Sequence, residues 1–486
     1  MTTDADAPAF LAQALAATPE GPLVVVVRAP VSDGMEALRR VRRGDTWLLS
    51  RSEREVPEIL LGLGAARRVS LAGSDRMTML ASAVTSGPAW KVVAHAAAAA
   101  SLSRRLPLAF VGLAFDALAS DEEPWQSHGG GALVTPRWTY LRRGDEAVLA
   151  FACVDRWAGQ PSVAVGELDA LLAALAAPAR SSRRLSGNPV VTHMPTSRAS
   201  WVDHVEAARR AIEEGAFRKV VAARRTAVSS AHDIPAEDVL EALPGDGAMR
   251  YLVRQGGATL VGATPERLFS KRGCRISTEA LAGTRARSTS SAAQGLLESA
   301  KDLDEHEPVV SAISASLRGL GATVEVEERA RIKQVANLVH LRTGIEAELA
   351  EGSSTDAAQV LAALHPTPAV GGWPREAALG FIRAHEPSRG WYAGPLGWID
   401  ATGDADVHVA LRCALLRGAR AWVFAGGGIV ASSDASAEWD ETALKMAPVL
   451  AALGATPEPR PRDVSTETRA RDGAREGEPR SLEARQ

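Results

Sequence analysis

The stretch Lys301-Asp-Leu-Asp-Glu-His-Glu-Pro-Val-Val310 puts acids into a run patterned as a helix. Asp302 and Glu305 are three residues apart, so on a helix they share one face. A second pair with that spacing, Glu438 and Glu441, stands near the C-terminus in Ala437-Glu-Trp-Asp-Glu-Thr-Ala-Leu-Lys445. Two helices that each offer such a pair could hold a hard divalent cation between them. Mg2+ suits oxygen donors and keeps water or substrate oxygens in its remaining positions. Acid pairs alone also fit two solvated helix faces, so the rest of the chain has to decide. Pro308 follows Glu305 by three residues, and a proline beyond the first turn removes a helical hydrogen bond and kinks the helix. The reading is therefore that Asp302 or Asp304 caps a helix that starts here.

The chain has 486 residues, 46% hydrophobic and 23% charged, which is the composition of an ordinary globular protein. Length alone suggests roughly three domains, or one large mixed α/β domain. A net charge of −3 gives no basic field for nucleic acid or an anionic membrane, so any anion must be bound locally. The start, Met-Thr-Thr-Asp-Ala-Asp-Ala-Pro, lacks a secretory pattern, and no apolar run approaches the ~20 residues that span a bilayer. Cys153, Cys274 and Cys413 are far apart and odd in number, reading as thiols in a reducing compartment. The expected location is the cytoplasm. Of the 55 basic residues only Lys91, Lys219, Lys271, Lys301, Lys333 and Lys445 are lysine. Where arginine serves so many surface roles, a retained lysine points to chemistry that arginine cannot do, such as giving up its proton.

Along residues 1–200, apolar runs at 23–28, 107–113 and 147–152 read as strands, and 167–176 as a helix limited by Pro178. Residues 179–198, rich in Arg, Ser and Pro, read as a surface crossover. Ser200 is placed to cap a helix over 201–214 that Gly215 ends. Strands follow at 218–228, 250–254, 259–263 and 267–271, with Pro265-Glu266 at the turn between the last two. Helices are expected at 235–243, 355–363 and 374–385. The end reads as strands at 408–416 and 421–424 and a helix over 435–453. From about Thr456 the chain is polar and too poor in large apolar residues to bury a core, so 456–486 reads as a disordered tail.

A set of motifs stands in order along the second half: Phe217-Arg-Lys-Val-Val-Ala-Ala-Arg224, Gly262-Ala-Thr-Pro-Glu-Arg-Leu-Phe269, Leu281-Ala-Gly-Thr284 and Lys301-Asp-Leu-Asp-Glu-His306. Leu338-Val-His-Leu-Arg342, Leu364-His-Pro-Thr-Pro-Ala-Val-Gly-Gly372 and Trp391-Tyr-Ala-Gly-Pro-Leu-Gly397 come next. Ala410-Leu-Arg412, Ala425-Gly-Gly-Gly-Ile-Val430 and Glu438-Trp-Asp-Glu-Thr442 complete it. Together they resemble the chorismate-utilising enzymes, and within them the isochorismate synthases. The resemblance covers roughly 200–453. It implies an α/β (α+β type) fold, one large domain of two packed, mainly antiparallel sheets with helices outside. Residues 1–200 would complete the scaffold and 201–453 would form the chorismate-binding catalytic portion.

The resemblance also implies roles. Glu305 and Glu441 would ligate Mg2+ directly or through water, with Asp302 and Glu438 as supporting carboxylates, and the metal would anchor a substrate carboxylate. Lys219 would be the general base that activates water, which requires burial or a nearby cation to weaken its hold on the proton. Glu266 would be the general acid that protonates the departing hydroxyl, with its pKa raised. Arg412 would pair with a substrate carboxylate in a fork that lysine cannot supply, aided by the Tyr392 hydroxyl. Gly426, Gly427 and Gly428 would let backbone N–H groups approach an anion. Lys445, one turn after Glu441, would reach the metal-bound carboxylate, and Thr284, His340 and Ala369 would line the pocket. Residue by residue the plainer readings stay open: Lys219 as a strand-edge lysine, Glu266 as a solvated turn residue, Glu441–Lys445 as a surface helix pair.

Within the family, water rather than ammonia is the expected nucleophile. Anthranilate synthases carry glutamine at the Lys219 position, and many aminodeoxychorismate synthases carry Pro-Ile-Lys-Gly-Thr where this chain has Leu281-Ala-Gly-Thr284. No glutamine amidotransferase subunit is therefore expected, and a monomer is the default. Salicylate synthases use the same lysine and then eliminate pyruvate. They and the aminating relatives typically carry threonine where this chain has Ala369. The expected product is isochorismate, for menaquinone or for siderophores. The His385-Glu-Pro and Trp391-Tyr-Ala-Gly394 stretches lean to the menaquinone type.

Overall fold

The computed structural model describes residues 6–18, 21–40, 44–51, 56–118, 122–155, 161–178, 190–193, 196–245, 247–286, 292–335 and 338–455. The polar tail 456–486 and most of the expected crossover at 179–198 lie outside the described residues. Among the described residues two sheets carry the fold, one of thirteen strands and one of ten. Among the described residues every strand pairing is antiparallel except Leu23–Arg28 with Lys91–Ala94. Helices cover the outside, and among the described residues none is long and apolar enough to cross a membrane.

The first 200 residues are woven into both sheets. Thr46–Arg51 pairs with Met249–Gln255 in the larger sheet, and Ala109–Leu113 pairs with Pro395–Ile399 in the smaller one. Strand Leu23–Arg28 shows why its sequence is an unbroken apolar run. Val24 and Val26 enter the core between the sheets, while Leu23, Val25 and Val27 enter a second core beneath the outer helices. Successive side chains of a strand point to opposite faces, so a strand covered on both sides has no polar phase. Each fully buried valine contributes roughly 1.5–3 kcal/mol of hydrophobic stabilisation.

The site is organised by a corner where the chain passes between sheets twice. Ala258–Thr264 lies in the larger sheet; Pro265-Glu266 turns, and Arg267–Arg272 continues in the smaller sheet. On the return, Ala405–Val409 lies in the smaller sheet and Cys413–Arg417 in the larger. The two passages run side by side, tied at the bend by Val409 N–H to Glu266 O (3.1 Å) and Ala263 N–H to Arg412 O (3.2 Å). The strand expected over 408–416 is therefore two strands in different sheets. Its break at 410–412 puts Arg412 in the left-handed region at φ +51°. The expected strand at 421–424 is longer, Arg420–Ile429, and contains the triple glycine within it.

Three helix starts differ from expectation. Ser197, not Ser200, caps Arg198–Glu213, its hydroxyl accepting from Ser200 N–H at 3.1 Å. Neither Asp302 nor Asp304 caps the acidic helix, which runs Ala300–Gly319 with Ser299 accepting from Asp302 N–H at 3.3 Å. Pro308 then lies inside the helix. The expected helix at 167–176 begins earlier, at Pro161, where proline suits a first turn.

Candidate active site

At the corner the two acidic helices meet the glycine-bearing strand. The C-terminal helix Ala435–Ala452 is fixed by Asp434, which accepts from Ala437 N–H at 2.8 Å. Buried Arg224 also holds it, lying 3.6 Å over the Trp439 ring and donating to Thr442 Oγ1 at 2.7 Å. A cavity of about 730 Å3, its mouth included, opens between the elements. Its wall carries Glu266, Glu305, Arg412, Tyr392, Glu441 and Lys445, together with His340, Ala369, Gly426 and Gly428.

Lys219 begins strand Lys219–Ser230 and is 1% exposed, so it is not a rim lysine. Its Nζ lies 3.1 Å from Glu305 Oε1 and 3.3 Å from the Glu305 carbonyl. Pro308 has no N–H to offer the carbonyl one turn back, that of Asp304. The Lys219 amine meets the next carbonyl along. Glu441 pairs with Lys445 at 2.7 Å, and Lys445 also donates to Gly426 O at 2.9 Å. Each wall carboxylate proposed for metal thus has a lysine beside it.

Glu266 is 8% exposed, and burial, with the Glu279 carboxylate nearby, lifts its pKa to about 7. The neighbouring Lys333, Lys219 and Lys445 oppose that rise. A carboxyl so placed carries a proton near neutrality, as a general acid requires. Desolvation in the cavity wall lowers the Arg412 pKa to about 10, and Arg412 donates to Lys445 O at 3.2 Å. Tyr392 stacks on Phe424 with ring centres 5.4 Å apart, and burial holds its hydroxyl protonated well beyond the usual range. The next residue, Ala393, also has positive φ, at +61°. Left-handed backbone at Ala393 and Arg412 costs strain, of order 1–3 kcal/mol each, that the surrounding structure has to hold.

The glycines do two things. Val221 and Ala223 face Gly428 and Gly426 across the strand pair, yet their N–H groups bond elsewhere, to Gly371 O (2.9 Å) and Glu386 Oε1 (3.0 Å). These are the non-hydrogen-bonded pairs of the ladder, so the amide edges of Gly426 and Gly428 turn away from strand Lys219–Ser230. They turn toward the gap left where Cys413–Arg417 stops pairing at Val423. Their missing side chains also admit the acids. An alanine Cβ at 428 would lie 2.1 Å from Glu305 Oε1, and one at 427 would lie 2.9 Å from Glu438 Oε2.

The remaining expected residues divide. His340 lines the cavity, and burial, with Arg412 and Lys445 close by, pushes its pKa well down, so it is neutral. It stands in register with Thr284, whose side chain lies outside the described residues, next to a bulge at Gly283. Asp302 and Glu438 are off the wall. Asp302 pairs with Arg285 at 2.9 Å, and Glu438 accepts from Ser433 Oγ at 2.9 Å. Gly427 is likewise off the wall, turned to Glu438.

Among the described residues no three His, Cys, Asp or Glu side chains cluster as a metal cage. Mg2+ does not need one, since it commonly uses one or two carboxylates and fills its octahedron with water and substrate oxygens. The two wall carboxylates, Glu305 and Glu441, fit that chemistry.

Residues to which the sequence assigned no role complete the surroundings. Lys333 donates to Pro265 O at 2.9 Å and pairs with Glu279, which also accepts from Arg342 at 2.9 Å. Arg389 braces the back wall through Val370 O (2.9 Å) and Val221 O (2.6 Å). The scarcity of lysine was the available signal for Lys333.

Comparison with known proteins agrees with this architecture. Residues 11–454 match the family described as chorismate binding enzyme. The chain is 40% identical over 356 residues to the salicylate biosynthesis isochorismate synthase of Pseudomonas aeruginosa, covering 71% of this chain and 74% of that protein. It is 33% identical over 359 residues to isochorismate synthase MenF of Bacillus subtilis, covering 72% and 75%. Among solved structures it is similar to MenF, the menaquinone-specific isochorismate synthase from Escherichia coli, with TM-score 0.73, 25% identity and coverage of 92% and 99%. A match over nearly the whole described chain places it: the protein belongs to the chorismate-binding enzyme family.

Proposed function

We propose that the chain is an isochorismate synthase, converting chorismate to isochorismate by adding water at C2 while the C4 hydroxyl departs. The observation that carries this is a buried lysine, Lys219, held 3.1 Å from the cavity-wall carboxylate Glu305, together with a second wall carboxyl that is protonated near neutrality, Glu266. Lys219 takes a proton from water, the oxygen bonds to C2, and the ring double bonds shift. Glu266 gives its proton to the C4 oxygen, which leaves as water, so atoms and charge balance over the turnover. Arg412, with the Tyr392 hydroxyl, orients a substrate carboxylate, and the amides of Gly426 and Gly428 offer further donors. Glu305 and Glu441 would hold Mg2+. When bound, the metal would neutralise and orient a substrate carboxylate.

Ala369 on the wall supports release of isochorismate rather than further elimination, because the lyase relatives described above carry a threonine there. A cytoplasmic monomer working without an amidotransferase partner is the remaining part of the reading. Incubating the chain with chorismate and Mg2+ and resolving the products by NMR tests it. Isochorismate should dominate; salicylate with stoichiometric pyruvate would assign the lyase activity instead.

A further inference from the structure

The corner that carries Glu266 is held from below by a chain of charges. Glu327 accepts from Gly344 N–H at 2.8 Å and pairs with Arg342 at 3.0 Å. Arg342 reaches Glu279 at 2.9 Å, Glu279 pairs with Lys333, and Lys333 donates to Pro265 O at 2.9 Å. That carbonyl belongs to the peptide that leads into Glu266. Lys333 lies on strand Arg331–Val335, directly opposite His340 in the antiparallel register, so the two share a face on the cavity side. The Glu266 main chain is also tied by its N–H to Thr264 Oγ1 (3.2 Å) and by its carbonyl to Val409 N–H (3.1 Å). Lys333 supplies a further tie, to the Pro265 carbonyl, and this tie carries charge.

We propose that Lys333, presented by Glu279 and Arg342, is a positioning residue for Glu266, fixing the Pro265–Glu266 corner and balancing the Glu279 carboxylate beside the acid. The proposal rests on the reading of Glu266 as general acid. The charged groups around Glu266 are Glu279, Lys333, Lys219, Lys445 and Arg412, with Glu305 and Glu441 on the wall of the same cavity. Glu279 raises its proton affinity, while Lys333, Lys219 and Lys445 lower it. Removing Lys333 deletes a lowering charge and leaves Glu279 less compensated, so both changes move Glu266 upward. Glu266 works protonated, so the alkaline fall of kcat/KM moves to higher pH. The acid also becomes a weaker proton donor, so kcat falls.

Lys333→Met should move the alkaline limb up by about one pH unit and lower kcat on the order of tenfold, with KM within about threefold. Lys333→Arg should restore the limb and most of kcat. Lys333→Gln keeps a donor for the Pro265 carbonyl without the charge, so it should move the limb with a smaller loss of kcat. Thermal melts confirm that the variants compared are folded. An unmoved limb in both the Met and Gln variants overturns the proposal, as does a loss confined to KM. Glu266→Gln separates the two levels. If that variant turns over normally, the general-acid reading fails and the proposal with it. If it is dead while Lys333→Met behaves as wild type, only the role of Lys333 fails.

Discussion

Gly428→Ala isolates the claim that the glycine strand exists to seat Glu305. The Gly428 backbone is not in the left-handed region, so alanine meets no backbone strain there. Its Cβ would lie 2.1 Å from Glu305 Oε1 and 3.0 Å from Lys219 Cε. An ordinary C···O contact is about 3.3 Å, so the carboxylate has to retreat by about 1 Å, and misplacement of that size costs about 100-fold in rate. The clash is with the end of a side chain, so the fold can absorb it. The lower entropy of the unfolded alanine chain returns about 0.4–1 kcal/mol. Steady-state assays with chorismate across a Mg2+ titration should therefore show kcat/KM down about 100-fold and a weaker metal response, with Tm within about 3 °C of wild type. Gly427→Ala is the internal control. Its Cβ meets Glu438 Oε2 at 2.9 Å, off the cavity wall, and the loss should stay below about tenfold. Wild-type activity in Gly428→Ala would refute the reasoning. Equal losses in both variants with falling Tm would assign the glycines to strand geometry instead.

Lys219→Ala should abolish turnover while chorismate still binds by calorimetry, and unchanged turnover would remove Lys219 from the base role. The activity of the unmodified chain should fall as pH rises through about 7, because the working form of Glu266 is protonated and its pKa is raised to that value. A kcat/KM profile flat through that range would contradict it. Arg412→Lys keeps charge but loses the planar fork, so KM should rise about tenfold with a smaller effect on kcat. Chelation of Mg2+ should stop turnover, and re-addition should restore it; activity that persists in chelator would count against Glu305 and Glu441 as ligands.

The family, the two mainly antiparallel sheets and part of the cavity wall were legible because the motifs place chemistry-bearing residues in a fixed order, although Asp302, Glu438 and Gly427 stand off that wall. Composition could not show that Glu266 and Arg412 share one corner. A strand that switches sheets keeps its apolar run, so 408–416 reads as a single strand although it breaks at 410–412. The cap of the acidic helix departs from the local proline rule. Pro308 argued for a late start, but Ser299 caps the helix, which runs on through Pro308 beside Lys219. The glycines suggested anion-binding amides, and two of them do turn their edges to the cavity. Their second use, room for Glu305 and Glu438, depends on helices that arrive from more than 100 residues before and from directly after the strand. Lys333 stood out only as one of six lysines, since its partners Pro265, Glu279 and Arg342 come together through pairing of distant strands.

Turnover in water enriched in the heavy oxygen isotope tests the central claim most directly. If Lys219 activates water for attack at C2 and Glu266 expels the C4 hydroxyl, the isochorismate formed should carry one solvent oxygen, located at C2 by NMR. Isochorismate formed without solvent oxygen would contradict water addition and remove the roles assigned to both residues.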